Sequence, residues 1–234
     1  MAGETTERVS VPASVRAVVL DLDGVLVDSL AVAREAFALA YGEVVGDGVA
    51  PVEEYCRHPG RYLPEVLELM GLPAALAEPF VRESNRLAHR VTLVDGVPEL
   101  LGTLRRRGIG LAVATGRSGV RARDLLGRLD LLPLVDHVVG SDEVPRPKPA
   151  PDIVRQALRL LGARPAEALM VGDAPSDLLS ARAAGVVAVA ALWGESDEEA
   201  LRAAGPDVVL TRLDELLPLC PAPGPPHRVD GHAR

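Results

Sequence analysis

Residues 16–29, with the sequence RAVVLDLDGVLVDS, decide the fold of this chain. They begin with a short apolar run, typical of a strand buried on both faces, and Asp21 and Asp23 follow it directly. Because side chains alternate along a strand, we expect both acids on one side of the carboxyl edge of a parallel sheet, where ligands bind. Two such carboxylates repel each other unless a cation or a shared proton intervenes. The pair therefore predicts metal ligands, a nucleophile with a general acid, or both.

By itself the acidic pair also has simpler explanations. An acid after a strand often caps a helix or forms a turn. An EF-hand calcium loop is conceivable, but the third acidic position, the glycine spacing and the closing glutamate are missing, and a buried strand precedes the motif instead of a helix. The functional interpretation therefore depends on partner residues elsewhere in the chain.

Length, composition and charge narrow the class of protein. With 234 residues, the chain is long enough to bury a core without disulfide staples. A net charge of -8 with scattered basic residues predicts no nucleic-acid partner and no membrane partner. The sequence has no apolar run of the roughly 20 residues that span a bilayer and no signal-peptide pattern, so we expect a cytoplasmic protein. The two cysteines, Cys56 and Cys220, indicate neither a disulfide framework nor a metal site.

The periodicity of the chain predicts an α/β fold with a doubly wound, Rossmann-like parallel sheet, because strand and helix patterns alternate over its second half. Residues 28–93, here called the helical block, show helical periodicity only, and the first of these helices is expected to end at Gly42. The block is much longer than a usual strand-to-strand crossover, so we interpret it as a cap inserted over the sheet edge. The expected organisation is a disordered leader at 1–14, a core domain at 15–27 and 94–217, a cap domain at 28–93 and a disordered tail at 218–234.

Three later segments also place polar residues beside the predicted sheet edge. Thr115 and Gly116 follow an apolar strand, Lys148 lies in the proline-rich segment RPKPAPD, and Asp173 and Asp177 follow another strand. Taken singly, these residues have ordinary explanations: a helix N-cap, a solvated lysine, and a cap followed by a surface acid. Together they predict a phosphate site with a hard metal ion. Carboxylate oxygens are the ligands that Mg²⁺ prefers, and the hydroxyl, the backbone amide and the ammonium group are donors for phosphate oxygens.

The ordered motifs DLDGVLVDS, ATG, RPKPAPD and GDAPSD resemble those of the haloacid dehalogenase superfamily over residues 16–217. The resemblance implies that Asp21 is a nucleophile that becomes phosphoaspartate, and that Asp23 is the general acid that protonates the leaving group and then activates water. It implies that Thr115 and Lys148 hold the phosphoryl oxygens. The dehalogenase branch lacks an acid at the position of Asp23, which favours phosphoryl transfer over carbon–halogen cleavage.

The resemblance also implies a set of metal and phosphate contacts. Mg²⁺ is the expected cofactor, bound by Asp21, by the backbone carbonyl of Asp23 and by Asp173, with Asp177 assisting directly or through water. The expected phosphate contacts around this site are Gly24, Gly116 and Arg117.

The helical block resembles the small helical cap of the superfamily, which is expected to close over the substrate and select it. Within it, Arg57, His58 and Arg61 beside Gly60 are predicted substrate contacts, with solvated surface side chains as the alternative. The phrases REAFALAYGEVVGDG and VAALWGES look like those of phosphatases associated with 3-amino-5-hydroxybenzoate formation in ansamycin pathways. That similarity implies an aminosugar phosphate, or a related pathway intermediate, as the substrate.

Several functions remain open besides this phosphatase. A phosphoglycolate phosphatase or a β-phosphoglucomutase-like phosphotransferase would keep every motif. A response-regulator receiver is about half as long, has no cap and carries its phosphorylated aspartate on a middle strand. A non-catalytic regulatory or binding protein on the same fold would be expected to lose a motif residue. The expected partner is a small-molecule phosphate ester, and the expected state is a monomer or homodimer.

Overall fold

A parallel sheet forms the centre of the computed structural model, which describes residue 12 and residues 14–222. The strands of the described residues are β1 (Ala17–Leu20), β2 (Val27–Asp28), β3 (Thr92–Leu93), β4 (Gly110–Thr115), β5 (His137–Gly140), β6 (Ala168–Gly172), β7 (Val187–Ala191) and β8 (Val208–Leu210). Six of them form the sheet, in the order β5-β4-β1-β6-β7-β8. β1 lies inside it, with Leu20 opposite Val113 on β4 and Val171 on β6. The predicted parallel α/β sheet is confirmed.

Helices cover both faces of this sheet because the side chains of its strands alternate between two apolar clusters. Val18 and Leu20 pack in one cluster, and Ala17 and Val19 pack in the other. The α-helices of the described residues are α1 (Leu30–Val44), α2 (Val52–Tyr55), α3 (Leu63–Leu69), α4 (Ala77–Arg86), α5 (Val97–Arg106), α6 (Gly119–Arg128), α7 (Asp152–Leu161), α8 (Pro175–Ala184), α9 (Glu198–Ala203) and α10 (Leu216–Leu219). Helices α5 and α6 supply residues to the first cluster, and α7 and α8 supply residues to the second.

The helical block has a separate apolar cluster built from α1, α3, α4 and the turn before α4. Phe37 is fully buried there and stacks on Tyr55 with a ring-centroid distance of 4.5 Å. The block is bracketed by the antiparallel pair β2–β3, in which Val27 lies opposite Leu93. Because these two-residue strands are too short to show a periodicity, the sequence does not predict them. The assignment of residues 28–93 as a separate cap domain remains a prediction.

Two predicted boundaries are wrong. Helix α1 continues through Gly42 to Val44, because Gly42 does not take the left-handed conformation that ends many helices. The predicted disordered tail begins too early: Leu219 ends helix α10, Cys220 is fully buried, and the Cys220 carbonyl accepts a hydrogen bond of 2.6 Å from Arg107 Nη1. The rest of the predicted tail from residue 223, and the predicted leader at residues 1–11 and 13, lie outside the described residues.

Within the described part of the chain, no helix has both the length and the apolar character that a membrane span requires.

Candidate active site

The order of the strands brings the predicted site residues together. Strands β4, β1 and β6 are neighbours, so the residues at their carboxyl ends, Thr115, Asp21 and Asp173, meet at one edge of the sheet. Asp177 reaches the same edge from the first turn of α8, and Lys148 reaches it from the loop before α7. All five side chains are buried, with at most 2% of each residue exposed. Charged groups at this depth require partners.

Lys148 supplies one of those partners to two carboxylates at once. Its Nζ lies 2.9 Å from Asp21 Oδ1 and 2.5 Å from Asp177 Oδ1. Burial acts to lower the pKa of Lys148, but the two neighbouring carboxylates raise it above its usual value on balance. The lysine therefore stays charged and holds Asp21 in place.

A third carboxylate makes this centre acidic. Oxygens of Asp21, Asp173 and Asp177 all lie within 4.8 Å of one another. Burial and then the charge of the neighbouring carboxylates raise the pKa values of Asp21 and Asp173 well above their ordinary range. Among the described residues, Asp21 Oδ2 has no hydrogen-bond partner. One lysine cannot balance three carboxylates, so an all-oxygen set with an unpartnered buried atom fits a hard divalent cation such as Mg²⁺.

Backbone amides orient the other two members of this acidic set. Asp173 Oδ2 accepts a hydrogen bond of 2.7 Å from the Glu195 N–H, and Asp177 Oδ2 accepts one of 3.1 Å from the Ala174 N–H. Gly24 makes room for Asp173, because a Cβ at Gly24 would lie 2.0 Å from Asp173 Oδ2. Gly24 was predicted as a phosphate contact, but its N–H donates to the Val27 carbonyl at 2.8 Å. In this structure Gly24 thus makes room for Asp173, and its contact with phosphate remains a prediction.

The side chain of Asp23 has different partners from the acidic set. Its carboxylate accepts a hydrogen bond of 2.7 Å from Arg117 Nε, a second from Arg117 Nη2 and a third from the Ser29 hydroxyl. Burial acts to raise the pKa of Asp23, but the charge and hydrogen bonds of Arg117 lower it on balance. Arg117, predicted as a phosphate contact, is thus bound to Asp23 in this conformation. Among the described residues, the set of acidic side chains that could hold a metal ion does not include Asp23.

The helical block lies over this centre, and a partly open cavity of about 100 Å³ lies between the two. The Ser176 hydroxyl of the core donates to the Pro59 carbonyl at 3.2 Å, and Gly116 faces the carbonyls of Gly60 and Arg61 so closely that a Cβ there would lie 2.7 Å from each. Core and block residues together line the cavity, among them Asp21, Asp23, Gly116, Arg117, His58, Arg61, Tyr55, Arg121 and Glu195. Thr115 stands behind it, with its hydroxyl accepting from the Arg117 N–H at 3.2 Å.

The three substrate contacts predicted in the helical block do not all lie at the cavity. His58 and Arg61 line the cavity. Arg57 does not reach it, because its guanidinium pairs with Glu54 at 2.6 Å on the surface and its side chain is 73% exposed. The prediction that Arg57 contacts the substrate is therefore not supported, and the ordinary interpretation as a solvated residue fits it.

Tyr55, Arg121 and Glu195 are among the cavity residues that the sequence does not predict as site residues. Tyr55 and Arg121 sit in helical patterns that give no sign of a site, although Arg121 lies against the helical block and its Nη2 donates to the Ser84 hydroxyl at 2.8 Å. Glu195 follows β7, and its position after a predicted strand was the signal that could have identified it. Burial, and then the charge of Asp23, raise the pKa of Glu195 to about 7.

Comparisons with known proteins agree on one family. Residues 15–185 match the family model described as haloacid dehalogenase-like hydrolase. The chain is 34% identical over 206 residues to a protein of Caldanaerobacter subterraneus subsp. tengcongensis that carries the provisional name pyrophosphatase PpaX, covering 87% of this chain and 93% of the relative. It is 34% identical over 200 residues to the phosphoglycolate phosphatase of Rhodospirillum rubrum, covering 78% of this chain and 82% of the relative. The crystal structure of a hydrolase from Pseudomonas syringae superposes with a TM-score of 0.76 at 28% identity, covering 86% of this chain and 96% of the other.

Proposed function

The chain belongs to the haloacid dehalogenase-like hydrolase family, and on that premise we propose that it hydrolyses a small phosphate monoester through a phosphoaspartate on Asp21, with Mg²⁺ as cofactor. That it is a phosphatase enzyme follows from the family together with relatives named as phosphatases. The observation that carries the proposal is Asp21 itself. This carboxylate is buried, faces the cavity and has one oxygen beside Lys148, while the other has no hydrogen-bond partner in the described part of the chain.

In the first half of the reaction, an Asp21 oxygen attacks phosphorus and the bond from phosphorus to the alcohol oxygen breaks. A carboxylate attacks a phosphate dianion poorly, so positive charge must offset the repulsion. Lys148 supplies part of it from 2.9 Å. Mg²⁺, which we assign to Asp21, Asp173 and Asp177 with the backbone carbonyl of Asp23, supplies further positive charge for the phosphoryl oxygens when bound. Thr115 and Gly116 at the end of β4 complete the proposed phosphate site.

Asp23 is proposed to move the protons. It lies two residues from the nucleophile, lines the cavity and is held by Arg117 and Ser29. As the ionised base, it takes a proton from the water that hydrolyses phosphoaspartate. As the acid, Asp23 must first be protonated. A phosphate dianion that pairs with Arg117 would weaken the interaction of Arg117 with Asp23, and the pKa of Asp23 would rise, which favours its protonation.

The cavity indicates a small substrate, because the space between the helical block and the core has a volume of about 100 Å³. The aminosugar phosphate of an ansamycin-type pathway remains a prediction that rests on the sequence phrases quoted above. Phosphoglycolate is the second candidate, favoured by the names of relatives that align with most of this chain. A mutase would use the same centre and return the phosphoryl group to the sugar.

Phosphate release tests the proposal. The assay compares p-nitrophenyl phosphate, phosphoglycolate, hexose phosphates, aminosugar phosphates and pyrophosphate, each with Mg²⁺ and with EDTA. We expect Mg²⁺-dependent release from one class of small ester. Release from no substrate would contradict the phosphatase assignment, and isomerisation of a sugar phosphate without free phosphate would identify a mutase.

Asp21→Asn tests the nucleophile. We expect turnover to be abolished, because an amide cannot form the acyl phosphate, while the metal-free protein still folds, because Asp177 remains as a partner of Lys148. Asp124→Asn, which removes a surface acid paired with Arg128, is the matched control and should keep wild-type activity. Retained turnover in Asp21→Asn would remove covalent catalysis from the mechanism.

A further inference from the structure

Glu195 is a cavity acid that the proposed mechanism does not use. It follows β7 and lines the cavity together with Asp21, Asp23 and Ser29. Its Oε1 is inaccessible to solvent and has no hydrogen-bond partner within the described residues. A buried carboxylate oxygen without a donor is unfavourable, and in a residue that lines a binding cavity it indicates a group that the ligand brings.

Ser29 is the neighbouring hydroxyl that acts to lower the pKa of Glu195, but it donates to Asp23 and leaves Glu195 Oε1 without a donor. Two arginines of the cavity are engaged elsewhere, Arg117 with Asp23 and Arg121 with Ser84, and none of the ion pairs among the described residues includes Glu195. The carboxylate is not in the set of described residues that could hold a metal, which consists of Asp21, Asp173 and Asp177.

The backbone of Glu195 is fixed independently of its side chain. Its N–H donates to Asp173 Oδ2 at 2.7 Å, which anchors the residue against the acidic centre. A change of the carboxyl group to an amide keeps this bond, so the side chain can be tested without removing the anchor.

We propose that Glu195 selects the organic part of the substrate by accepting a hydrogen bond from a hydroxyl or ammonium group on it, an inference that rests on the proposed phosphatase function. The phosphate binds at Asp21 and Lys148, and the leaving oxygen faces Asp23. Glu195 and Asp23 both line the cavity and lie close enough for the charge of Asp23 to raise the pKa of Glu195, so in this proposal Glu195 meets the part of the ester next to that oxygen. The substrate class is therefore a phosphate monoester with a hydrogen-bond donor close to the ester bond.

The same contact acts against an anionic substrate. A carboxylate on the organic part would bring a second negative charge to Glu195 and leave its buried oxygen without a donor. Glu195 thus disfavours phosphoglycolate, the compound that gives several relatives of this chain their names.

A matched series of two-carbon esters tests this selectivity. Ethyl phosphate, 2-hydroxyethyl phosphate, 2-aminoethyl phosphate and phosphoglycolate differ only in the terminal group, and kcat/KM is measured for every ester and every variant at the same pH of about 8. The proteins are the wild type, Glu195→Gln and the control Glu199→Gln, which changes an exposed acid at the start of α9.

We expect the wild type to prefer the hydroxyl and ammonium esters over the ethyl ester. In Glu195→Gln, kcat/KM for the ammonium ester should fall about tenfold or more relative to ethyl phosphate, while that for phosphoglycolate should rise on the same scale. These opposite changes cannot come from general damage to the site. Glu199→Gln should match the wild type.

The experiment distinguishes failure of the role proposed for Glu195 from failure of the proposed phosphatase function. Unchanged ratios between the esters in an active Glu195→Gln enzyme, or an equal fall for all four, would overturn the role of Glu195 and leave the phosphatase intact. No Mg²⁺-dependent release by the wild type from these esters or from p-nitrophenyl phosphate would overturn the proposed function, and this inference with it.

Discussion

At the scale of single residues, Lys148 shows how burial changes the meaning of a motif. In the sequence it is a lysine among prolines, for which a solvated side chain is the ordinary expectation. In the structure it is fully buried, with Asp21 and Asp177 both within 2.9 Å of its Nζ. We therefore expect Lys148 to stabilise the folded, metal-free protein and also to take part in the proposed reaction.

Lys148→Met tests this double role. The change leaves the buried carboxylates of Asp21 and Asp177 without their positively charged partner. The free energy of unfolding of the metal-free protein should therefore fall by about 3–5 kcal/mol. Mg²⁺ should restore part of the loss. Denaturant unfolding with and without Mg²⁺ measures both effects. The control is Arg146→Met in the same loop, whose side chain is 68% exposed and pairs with Asp152, and which should cost less than about 1 kcal/mol. Equal losses in the two variants would disprove the role of Lys148.

At the scale of elements, the contact between the end of β4 and the loop of residues 59–61 closes the cavity. Gly116 allows this contact because its missing side chain leaves space for the carbonyl oxygens of Gly60 and Arg61. The sequence predicts that Gly116 binds phosphate. The structure adds a steric role that depends on a segment far away in the chain.

Gly116→Ala should push the loop away without unfolding the sheet. We expect faster amide exchange in the loop and a fall in kcat/KM of up to about 100-fold, because the cavity residues lose their positions. Hydrogen exchange followed by mass spectrometry, together with steady-state kinetics, measures the two effects. Gly127→Ala is the matched control, since a Cβ there meets no atom within 4 Å. Wild-type exchange and kinetics in Gly116→Ala would rule out the steric role.

The position of α10 is a second element-scale result. Cys220 follows this helix and is fully buried, and burial raises the pKa of its thiol to about 11. Its carbonyl and that of Leu217 accept hydrogen bonds from Arg107 after α5.

The thiol of Cys220 should therefore resist modification in the folded protein. In a Cys56→Ser variant, which isolates Cys220, reaction with a disulfide reagent at about pH 8 should be much slower than in denaturant, because the thiol is both covered and neutral. The Cys220→Ala variant, in which only the partly exposed Cys56 remains, gives the reaction rate of a more accessible thiol for comparison. Reaction of Cys220 at the rate of an unfolded chain would show that the helix does not pack as described.

At the scale of the whole molecule, the acidic centre couples metal binding to stability. Burial and mutual repulsion raise the pKa values of Asp21 and Asp173 above 3.8 in the folded, metal-free protein. As pH rises above that value, the unfolded chain releases protons that the folded chain retains. The contribution of these groups to stability therefore decreases as pH rises towards their folded pKa values.

Mg²⁺ should reverse this trend, because it binds the ionised carboxylates. We expect the increase in Tm on addition of Mg²⁺ to be larger at about pH 8 than at about pH 5, where protons compete with the metal. Differential scanning fluorimetry with Mg²⁺ and with EDTA measures the increase. Asp173→Asn, which removes one carboxylate of the set, should reduce it at both pH values. A Tm increase independent of pH and of Asp173 would contradict a metal site at this centre.

The sequence by itself determined the parallel sheet, the helical block and the meeting of Asp21, Thr115, Asp173 and Asp177 at one sheet edge, while the place of Lys148 beside them came from the resemblance of the motifs to the family. The first three follow from local patterns, since buried strands, helical periodicity and the carboxyl edge of a parallel sheet are encoded in short stretches. Only the tertiary structure decided that Arg117 binds Asp23, that Arg57 stays on the surface and that Glu195 enters the cavity. Each of these depends on how distant segments pack, and a side chain's partners across such a contact leave no periodicity in the sequence.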